Sequence, residues 1–148
     1  MTLNVYLSGE IHTDWREQIV EASKGLDVRF SGPVTDHAAS DDCGVHILGA
    51  EPDKFWHDHK GAKVNAIRTR LGIETADVVV VRFGTQYKQW NAAFDAGYAA
   101  ALGKSLIVLN PPEHGHALKE VHGAALAVAE EPAQVVAILR YVLDGVLA

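Results

Sequence analysis

The chain of 148 residues is 48% hydrophobic and 22% charged, which is typical of one globular domain and excludes a disordered or fibrous protein. A formal net charge of −6, with no run of lysine or arginine, argues against binding to nucleic acid. A single cysteine excludes an internal disulfide, and with no signal peptide and no apolar run of the roughly 20 residues that span a bilayer, we expect a cytoplasmic protein without membrane contact.

The first half of the chain predicts two strands and two helices. LNVYLS at residues 3–8 predicts a strand, and residues 12–26 follow it with apolar side chains at helical spacing. DVRFSG at residues 27–32 predicts a second strand. The next segment, PVTDHAASDDCG at residues 33–44, favours loop and turn because of its proline, aspartates and glycine. Residues 59–75 again carry apolar side chains at the spacing of a helix.

The second half continues this alternation. ADVVVVRF at residues 76–83 is a β-branched run, which is typical of a parallel strand buried on both faces. WNAAFDAGYAAALGK predicts a helix over residues 90–104. The remaining predicted elements are a strand at 105–110, a short helix at 116–122, a weak strand at 126–129 and a helix after Pro132. Because this last helix is apolar around much of its circumference, it packs against the sheet alone or against both the sheet and a second subunit.

Five strand and helix units of this kind predict an α/β fold with a three-layer, flavodoxin-like open parallel sheet of about five strands. We expect the strand order 2-1-3-4-5, in which the first and third strands are neighbours and a crevice opens beyond their carboxyl ends. The residues expected to line the crevice are Ser8, Gly9 and Glu10 after the first strand, and Arg82, Phe83 and Gly84 after the third.

Asp95 is a carboxylate within the apolar helix predicted at residues 90–104. It would lie about one to two turns into a helix whose amino end faces the crevice, on the same side as Asn91 and Tyr98. In one interpretation, Asp95 is exposed to solvent or bonded to backbone donors of a neighbouring loop. In the other, it is a nucleophile or an acid–base group that the positive helix end keeps ionised.

The loop SGEIHTDWR after the first strand also has two interpretations. Gly9 permits a tight turn, free amides at the helix start can bind an anion, and His12 and Arg16 can add positive charge. Such a site would suit a phosphate or ribose hydroxyls. Alternatively, Thr13 or Asp14 caps the helix and Arg16 pairs with a surface acid.

Eight histidines raise the question of a metal site, most directly in the segments WHDH and HGH. Neither has a histidine pair one helical turn apart or a cysteine framework, so we expect no metal and no cofactor. TDHAASDD, which includes Asp36, could form a loop over the crevice, although a solvated loop is the commoner outcome.

Several segments resemble a known family. VYLSG, ADVVVVRF and FDAGYAAALGKSLIVL are similar to three landmarks of nucleoside 2-deoxyribosyltransferases. GEIHTDWR, GPVTDH and YKQWNAAFDAGYAAALGK resemble the small bacterial YtoQ family, which is grouped with those enzymes, and this resemblance covers nearly the whole chain. It implies one nucleoside 2-deoxyribosyltransferase-like domain over residues 1–148.

The resemblance implies roles for individual residues. In the transferases a glutamate attacks the anomeric carbon of deoxyribose and displaces the nucleobase, and Asp95, one methylene shorter, stands in its place. Tyr6 matches a tyrosine that orients the nucleophile, and Asp77 matches an acid at the start of the third strand. Gln89 stands where the family has an aspartate, and Asn91 where it has the glycine of a Gly-Thr pair.

The chemistry implied is a retaining double displacement through an oxocarbenium-like transition state, in which a second group protonates the leaving base. Glu10 is the first candidate for that acid and Asp36 the second. Trp90 or Phe83 can stack on the base or anchor the core, and for Phe83 the core is favoured.

The candidate residues therefore form two groups. We assign catalysis to Asp95, Tyr6 and Glu10, and substrate binding to Ser8, Gly9, His12, Arg16, Asp36, Gly84, Gln89, Trp90 and Asn91. The expected function is N-glycosidic transfer or hydrolysis on nucleosides or their monophosphates. The alternative is a non-catalytic nucleotide- or sugar-binding protein that has lost the full catalytic set. The family also implies a homo-oligomer, a dimer or larger.

Overall fold

A five-stranded parallel sheet organises the computed structural model, which describes residues 1–53 and 58–147. The strands are β1 at Leu3–Gly9, β2 at Val28–Ser31, β3 at Val78–Arg82, β4 at Ser105–Leu109 and β5 at Ala127–Ala129. Every neighbouring pair is parallel, and the order is β2-β1-β3-β4-β5. The predicted flavodoxin-like fold and strand order are confirmed.

Helices cover both faces of this sheet. They are α1 at Trp15–Ala22, α2 at His37–Leu48, α3 at His59–Thr75, α4 at Trp90–Ala101, α5 at Lys119–Ala124 and α6 at Pro132–Asp144, with a short 3-10 helix at Pro112–His114. Within the ranges that the structure describes, no helix combines the length and the apolar character that crossing a bilayer would require.

The two faces of β1 contribute to different cores because successive side chains of a strand point to opposite sides. Val5 and Leu7 pack in the cluster that includes Trp15 of α1 and Leu139 of α6. Tyr6 packs in the other cluster, with buried residues of α3 and α4. The alternation therefore places Tyr6 and Ser8 on the side of the sheet that α4 covers.

The prediction of loop and turn over residues 33–44 is wrong, because α2 begins at His37. The Asp36 side chain caps this helix by accepting a 2.8 Å hydrogen bond from the amide of Ala39. The helix lies very close to α3, where a Cβ on Gly44 would lie 2.1 Å from the amide nitrogen of Gly61. Gly44 is the buried residue of α2, so the helix lacks the apolar periodicity from which it could have been predicted.

The outer face of α6 remains partly apolar in the single chain. Val135, Val136 and Leu139 are buried beneath the helix, whereas Tyr141 and Val142 are 51% and 50% exposed. Packing within the chain thus covers one face of α6 and leaves the other exposed. The predicted homo-oligomer, in which a second subunit would cover that exposed face, stays a prediction.

Candidate active site

Asp95 lies beside the carboxyl end of β1, where Ser8 holds its side chain. The Ser8 hydroxyl donates a 2.6 Å hydrogen bond to Oδ2 of Asp95. Ser8 is 1% exposed, so this bond is shielded from water. The Asp95 carboxyl also lines a cavity of about 530 Å³, a size that is ordinary for small-molecule sites. The structure therefore places a positioned carboxyl on the wall of a cavity.

Burial raises the pKa of Asp95 above its ordinary value, and the Ser8 hydrogen bond opposes this effect without cancelling it. Asp95 is the sixth residue of α4, beyond the first turn in which a helix end acts strongly. The influence of the positive helix end is therefore weak at Asp95, and the expectation that this end keeps the carboxyl ionised stays a prediction. The Asp95 carboxyl is held in position by the Ser8 hydroxyl of β1.

Tyr6 lies in the wall behind Asp95. Its side chain is 2% exposed, and its ring packs so closely on α3 that a Cβ on Gly72 would lie 2.3 Å from Cε2 of Tyr6. Burial, together with the charge of Asp95, raises the pKa of Tyr6, although a side-chain hydrogen bond with Thr69 opposes the rise. Tyr6 is thus within electrostatic reach of Asp95, while the hydrogen bond that orients Asp95 comes from Ser8.

The cavity that contains Asp95 is built by α2, α3 and α4 and by the loops that follow β1 and β2. The polar residues of its lining are Ser40, Asp41, Asp58, Asn65, Thr69, Arg70, Asn91, Asp95 and Tyr98. Its apolar lining includes Ile11, Pro33, Val34 and Phe94. This mixture of apolar surface and a few convergent polar groups suits a ligand with a flat apolar part and a hydroxylated part.

A second cavity, of about 600 Å³, adjoins the first, and the lining residues common to both are Gly9, Ile11, Ser40, Asp41, Asp58, Asn91 and Ala92. Its other lining residues include His12, His37, Tyr87 and Trp90. The His12 ring lies 4.6 Å from the Tyr87 ring and 6.2 Å from the His37 ring, measured between centroids. Of the residues predicted to bind substrate, five thus lie around these two cavities: Gly9, His12, Gln89, Trp90 and Asn91.

Glu10 is buried and serves the loop that follows β1. Its Oε2 accepts hydrogen bonds from the amides of His12 at 2.7 Å and Thr13 at 3.1 Å. Its Oε1 accepts from the Thr13 hydroxyl and from Nε of Arg82, the latter at 3.1 Å. Burial alone would raise the pKa of Glu10, but these donors outweigh it and hold the pKa below its ordinary value. Both carboxyl oxygens are engaged by donors of this loop and of β3, so the contacts favour a structural role for Glu10 over that of general acid.

Replacing Glu10 with glutamine should destabilise the protein at neutral pH. The amide lacks the charge that attracts Arg82 and presents a donor to other donors, at an expected cost of about 1 to 3 kcal/mol in the free energy of unfolding. Because folding lowers the pKa of Glu10, its contribution is present at neutral pH and is lost as the pH falls through that lowered value. Urea unfolding at neutral and acidic pH measures both effects, with the exposed Glu17→Gln of α1 as the control. If the free energy of unfolding of E10Q stayed below that of wild type by the same amount in acid, this role of Glu10 would be contradicted.

The anion site predicted in this loop is already occupied by the chain itself. The amides of His12 and Thr13, expected to be free, bind the Glu10 carboxylate. Arg16 is 8% exposed, and its Nε, Nη1 and Nη2 donate to the carbonyls of Leu7, Glu10 and Gly9. Arg16 therefore supports the loop from beneath, which corrects its assignment to substrate binding.

The loop between β3 and α4 is held together by Gln89. Its Oε1 accepts from the amide of Gly84 at 2.9 Å, and its Nε2 donates to the carbonyls of Gln86 and Tyr87. Gly84 is required by close packing, because a Cβ there would lie 2.9 Å from Cγ of Glu10. Gln89 and Gly84, predicted to bind substrate, thus shape the loop.

Other predicted residues separate into core, edge and surface positions. Phe83 is 5% exposed and belongs to the core, as favoured, whereas Trp90 is 75% exposed and is no core anchor. Asp36 caps α2 and lies outside the linings of both cavities, which corrects its assignment as a ligand or acid. The Asp77 carboxylate accepts a 2.8 Å hydrogen bond from the amide of Asn4. It therefore joins the amino ends of β1 and β3, at the end of the strands opposite the crevice.

The sequence interpretation missed the contribution of α3 to the site. Asn65 and Thr69 stand four residues apart on α3, so they share the face that lines the cavity with Arg70 nearby. That polar spacing was visible within the helix predicted at residues 59–75. Asp41 belongs to TDHAASDD, which was predicted as a possible loop over the crevice; the structure places it on α2 instead.

No cluster of histidine, cysteine and acidic side chains in residues 1–53 and 58–147 has the arrangement to hold a metal ion. In the WHDH segment considered for such a site, Trp56 and His57 lie outside the described residues.

Comparisons with known proteins point to one family. Residues 6–143 match the family described as nucleoside 2-deoxyribosyltransferase YtoQ. A protein of Bacillus subtilis strain 168, described as uncharacterized protein YtoQ, is 41% identical over 146 residues, which make up 97% of this chain and 99% of that relative.

Two solved structures share the fold. A 2-deoxyribosyltransferase from Bacillus psychrosaccharolyticus superposes with a TM-score of 0.58 at 12% identity, over 90% of each chain. A conserved protein from Enterococcus faecalis V583 superposes with a TM-score of 0.66 at 15% identity, over 97% of this chain and 100% of the other. At such low identity these two similarities concern the architecture alone.

Proposed function

The chain belongs to the family described as nucleoside 2-deoxyribosyltransferase YtoQ, and from this premise we propose that it cleaves the N-glycosidic bond of 2-deoxynucleosides by double displacement through Asp95. The sugar passes to Asp95 and then to a second base or to water. The observation that carries the proposal is the Asp95 carboxyl, held by Ser8 at 2.6 Å on the wall of a cavity of about 530 Å³.

The geometry supports a nucleophilic role for Asp95. A carboxylate that forms a glycosyl ester needs one oxygen directed at the anomeric carbon and a side chain that does not rotate away. The Ser8 bond to Oδ2 restrains the side chain in this way. Partial burial strengthens the attraction between the ionised carboxylate and an oxocarbenium-like transition state, because water screens the charges less.

We expect the site to prefer unphosphorylated nucleosides to their monophosphates. The amides after β1 that could hold a phosphate already bind Glu10, whose negative charge would repel a second anion nearby. The guanidinium of Arg16, the arginine of the SGEIHTDWR segment, donates to three backbone carbonyls and is therefore engaged within the protein. The proposal therefore specifies the nucleoside, with its base against the apolar lining and its sugar near Asp95.

Incubation of the purified protein with deoxynucleosides and with deoxynucleoside monophosphates tests the proposal. Release of free base indicates hydrolysis, and formation of a new nucleoside from an added base indicates transfer. Activity on the nucleosides is expected to exceed activity on the monophosphates. Ligand-dependent stabilisation against heat without either reaction would instead favour the non-catalytic binding protein.

Removal of the Ser8 hydroxyl should slow the reaction and change its pH dependence. A hydrogen bond to a charged group is worth about 1.5 to 3 kcal/mol, so Ser8→Ala should lower kcat by roughly 10- to 100-fold. Because this bond lowers the pKa of Asp95, its loss should raise that pKa further. The acid limb of the pH–rate profile should then move to higher pH. Ser31→Ala, on an exposed position of β2, is the control, and an unchanged profile in Ser8→Ala would argue against the role of Ser8.

A further inference from the structure

The proposed reaction needs a group besides Asp95 that gives a proton to the leaving base and takes one from the incoming acceptor. The two carboxyls considered from the sequence do not fit this role. Glu10 is buried with both carboxyl oxygens bound by donors, and Asp36 caps α2 away from the cavity. The inference that follows rests on the proposed function and concerns this second group.

Few titratable side chains in the described parts of the chain line the Asp95 cavity. Besides Asp95 they are Asp41, Asp58, Arg70 and Tyr98. Arg70 stays protonated and cannot exchange a proton during turnover. The Tyr98 hydroxyl donates a 2.5 Å hydrogen bond to Glu74, which raises the pKa of Tyr98. The two carboxyls, Asp41 and Asp58, remain.

Asp41 is the better placed of the two carboxyls. It lies on α2 with its side chain 33% exposed, and like Asp58 it lines both adjoining cavities. Nε2 of His37, one helical turn earlier, lies 3.4 Å from Oδ2 of Asp41. Asp58, in contrast, is exposed and stands just before α3. Asp41 thus combines partial burial, access to the site and a partner that restrains it.

We propose that Asp41 is the general acid and base of the reaction and that His37 is its positioning residue. In the first half-reaction an Asp95 oxygen bonds to the anomeric carbon while the bond from that carbon to the base nitrogen breaks. The electron pair of the broken bond stays on the base, which takes the proton of the Asp41 carboxyl.

In the second half-reaction the Asp41 carboxylate takes a proton from water or from the N–H of an incoming base. The oxygen or nitrogen that loses the proton bonds to the anomeric carbon, and the electron pair of the ester bond returns to Asp95. Both carboxyls are then in their starting states. Hydrolysis consumes one water, and transfer consumes one base.

The test compares Asp41→Asn on deoxyadenosine and on nitrophenyl 2-deoxyriboside, whose phenolate leaves without a proton. Cleavage of deoxyadenosine should fall by about 10²- to 10⁴-fold, the usual contribution of a general acid. The first turnover of the nitrophenyl compound should stay within about 10-fold of wild type, since it needs no acid. Later turnovers should be slow, because base catalysis is missing, and azide should accelerate them since it attacks without losing a proton.

Asp36→Asn is the matched control, because it removes a carboxyl from the start of the same helix while asparagine still caps it. His37→Gln should slow deoxyadenosine cleavage about 10-fold and leave the first nitrophenyl turnover unchanged, as expected for a residue that acts through Asp41. Melting temperatures confirm that each variant is folded, and Asp41→Ser replaces Asp41→Asn if the latter is not.

The outcomes separate this inference from the proposed function. Equal losses on both substrates in Asp41→Asn, or the same activity as Asp36→Asn, would overturn the role of Asp41. If Asp95→Asn loses activity on both substrates while Asp41→Asn keeps activity on both, only the inference about Asp41 fails. If the wild-type protein releases neither base nor nitrophenolate, the proposed function fails and the inference fails with it.

Discussion

Replacing Asp95 with asparagine is expected to lower the cleavage of deoxynucleosides by on the order of 10⁴-fold or more, the scale seen when an essential catalytic group is removed. Asparagine keeps nearly the same shape and can still accept the Ser8 hydrogen bond, but it cannot form a stable glycosyl ester. Base release from deoxyadenosine, followed by chromatography, measures the loss. The same variant should also lose activity on the nitrophenyl compound, which needs the nucleophile even though it needs no acid.

The stability of Asp95→Asn distinguishes lost chemistry from lost structure. Because burial raises the pKa of Asp95, the fold favours its protonated form, and this favourable contribution is lost as the pH rises through the raised value. At neutral pH the uncharged asparagine is therefore expected to leave the melting temperature equal to or above that of wild type. Asp144→Asn, exposed at the end of α6, controls for the general loss of one negative charge. A folded Asp95→Asn with undiminished cleavage would remove Asp95 from the mechanism.

Replacing Gly9 with alanine is expected to give the largest loss of stability among the substitutions considered. Gly9 has φ of +111°, and a Cβ there would lie 2.2 Å from the carbonyl oxygen of Arg82 in the neighbouring strand. Positive φ and overpacking against a backbone together should cost about 3 kcal/mol or more in the free energy of unfolding. The clash cannot be relieved by rotation of a side chain, so β1 and β3 must separate where they form the crevice. Cleavage should fall with stability, because Ser8 and Glu10 flank this position.

Gly25→Ala isolates the contribution of φ alone. Gly25 has φ of +91°, and a Cβ there would meet no atom within 4 Å. Its alanine variant should lose only about 1 to 2 kcal/mol. Urea unfolding of the two variants gives the comparison. Similar losses in Gly9→Ala and Gly25→Ala would show that the close approach of Arg82 to Gly9 does not constrain the crevice.

The sheet could be predicted because its strands are marked by local composition. The β-branched run of β3 and the alternation with helices are properties of neighbouring residues, and right-handed crossovers then restrict the strand order. The helix α2 could not be predicted in this way. It is held by its Asp36 cap and by the contact of Gly44 with Gly61, and such a glycine contact leaves no apolar period.

The position of the site followed from the fold, but the roles of its residues did not. Ser8 and Asp95 are 87 positions apart, so no local sequence pattern predicts their hydrogen bond. Glu10 looked available as an acid because its partner Arg82 is 72 positions away. The crevice depends on topology, whereas the role of a carboxyl depends on which donors surround it.

The most direct test of the central proposal is to identify the residue that carries the sugar during turnover. The protein is mixed with deoxyadenosine, quenched in acid and digested, and the peptides are analysed by mass spectrometry. The proposal predicts a deoxyribosyl group attached as an ester to Asp95, absent from the Asp95→Asn variant. A deoxyribosyl group on another residue, or release of base with inversion at the anomeric carbon, would contradict it.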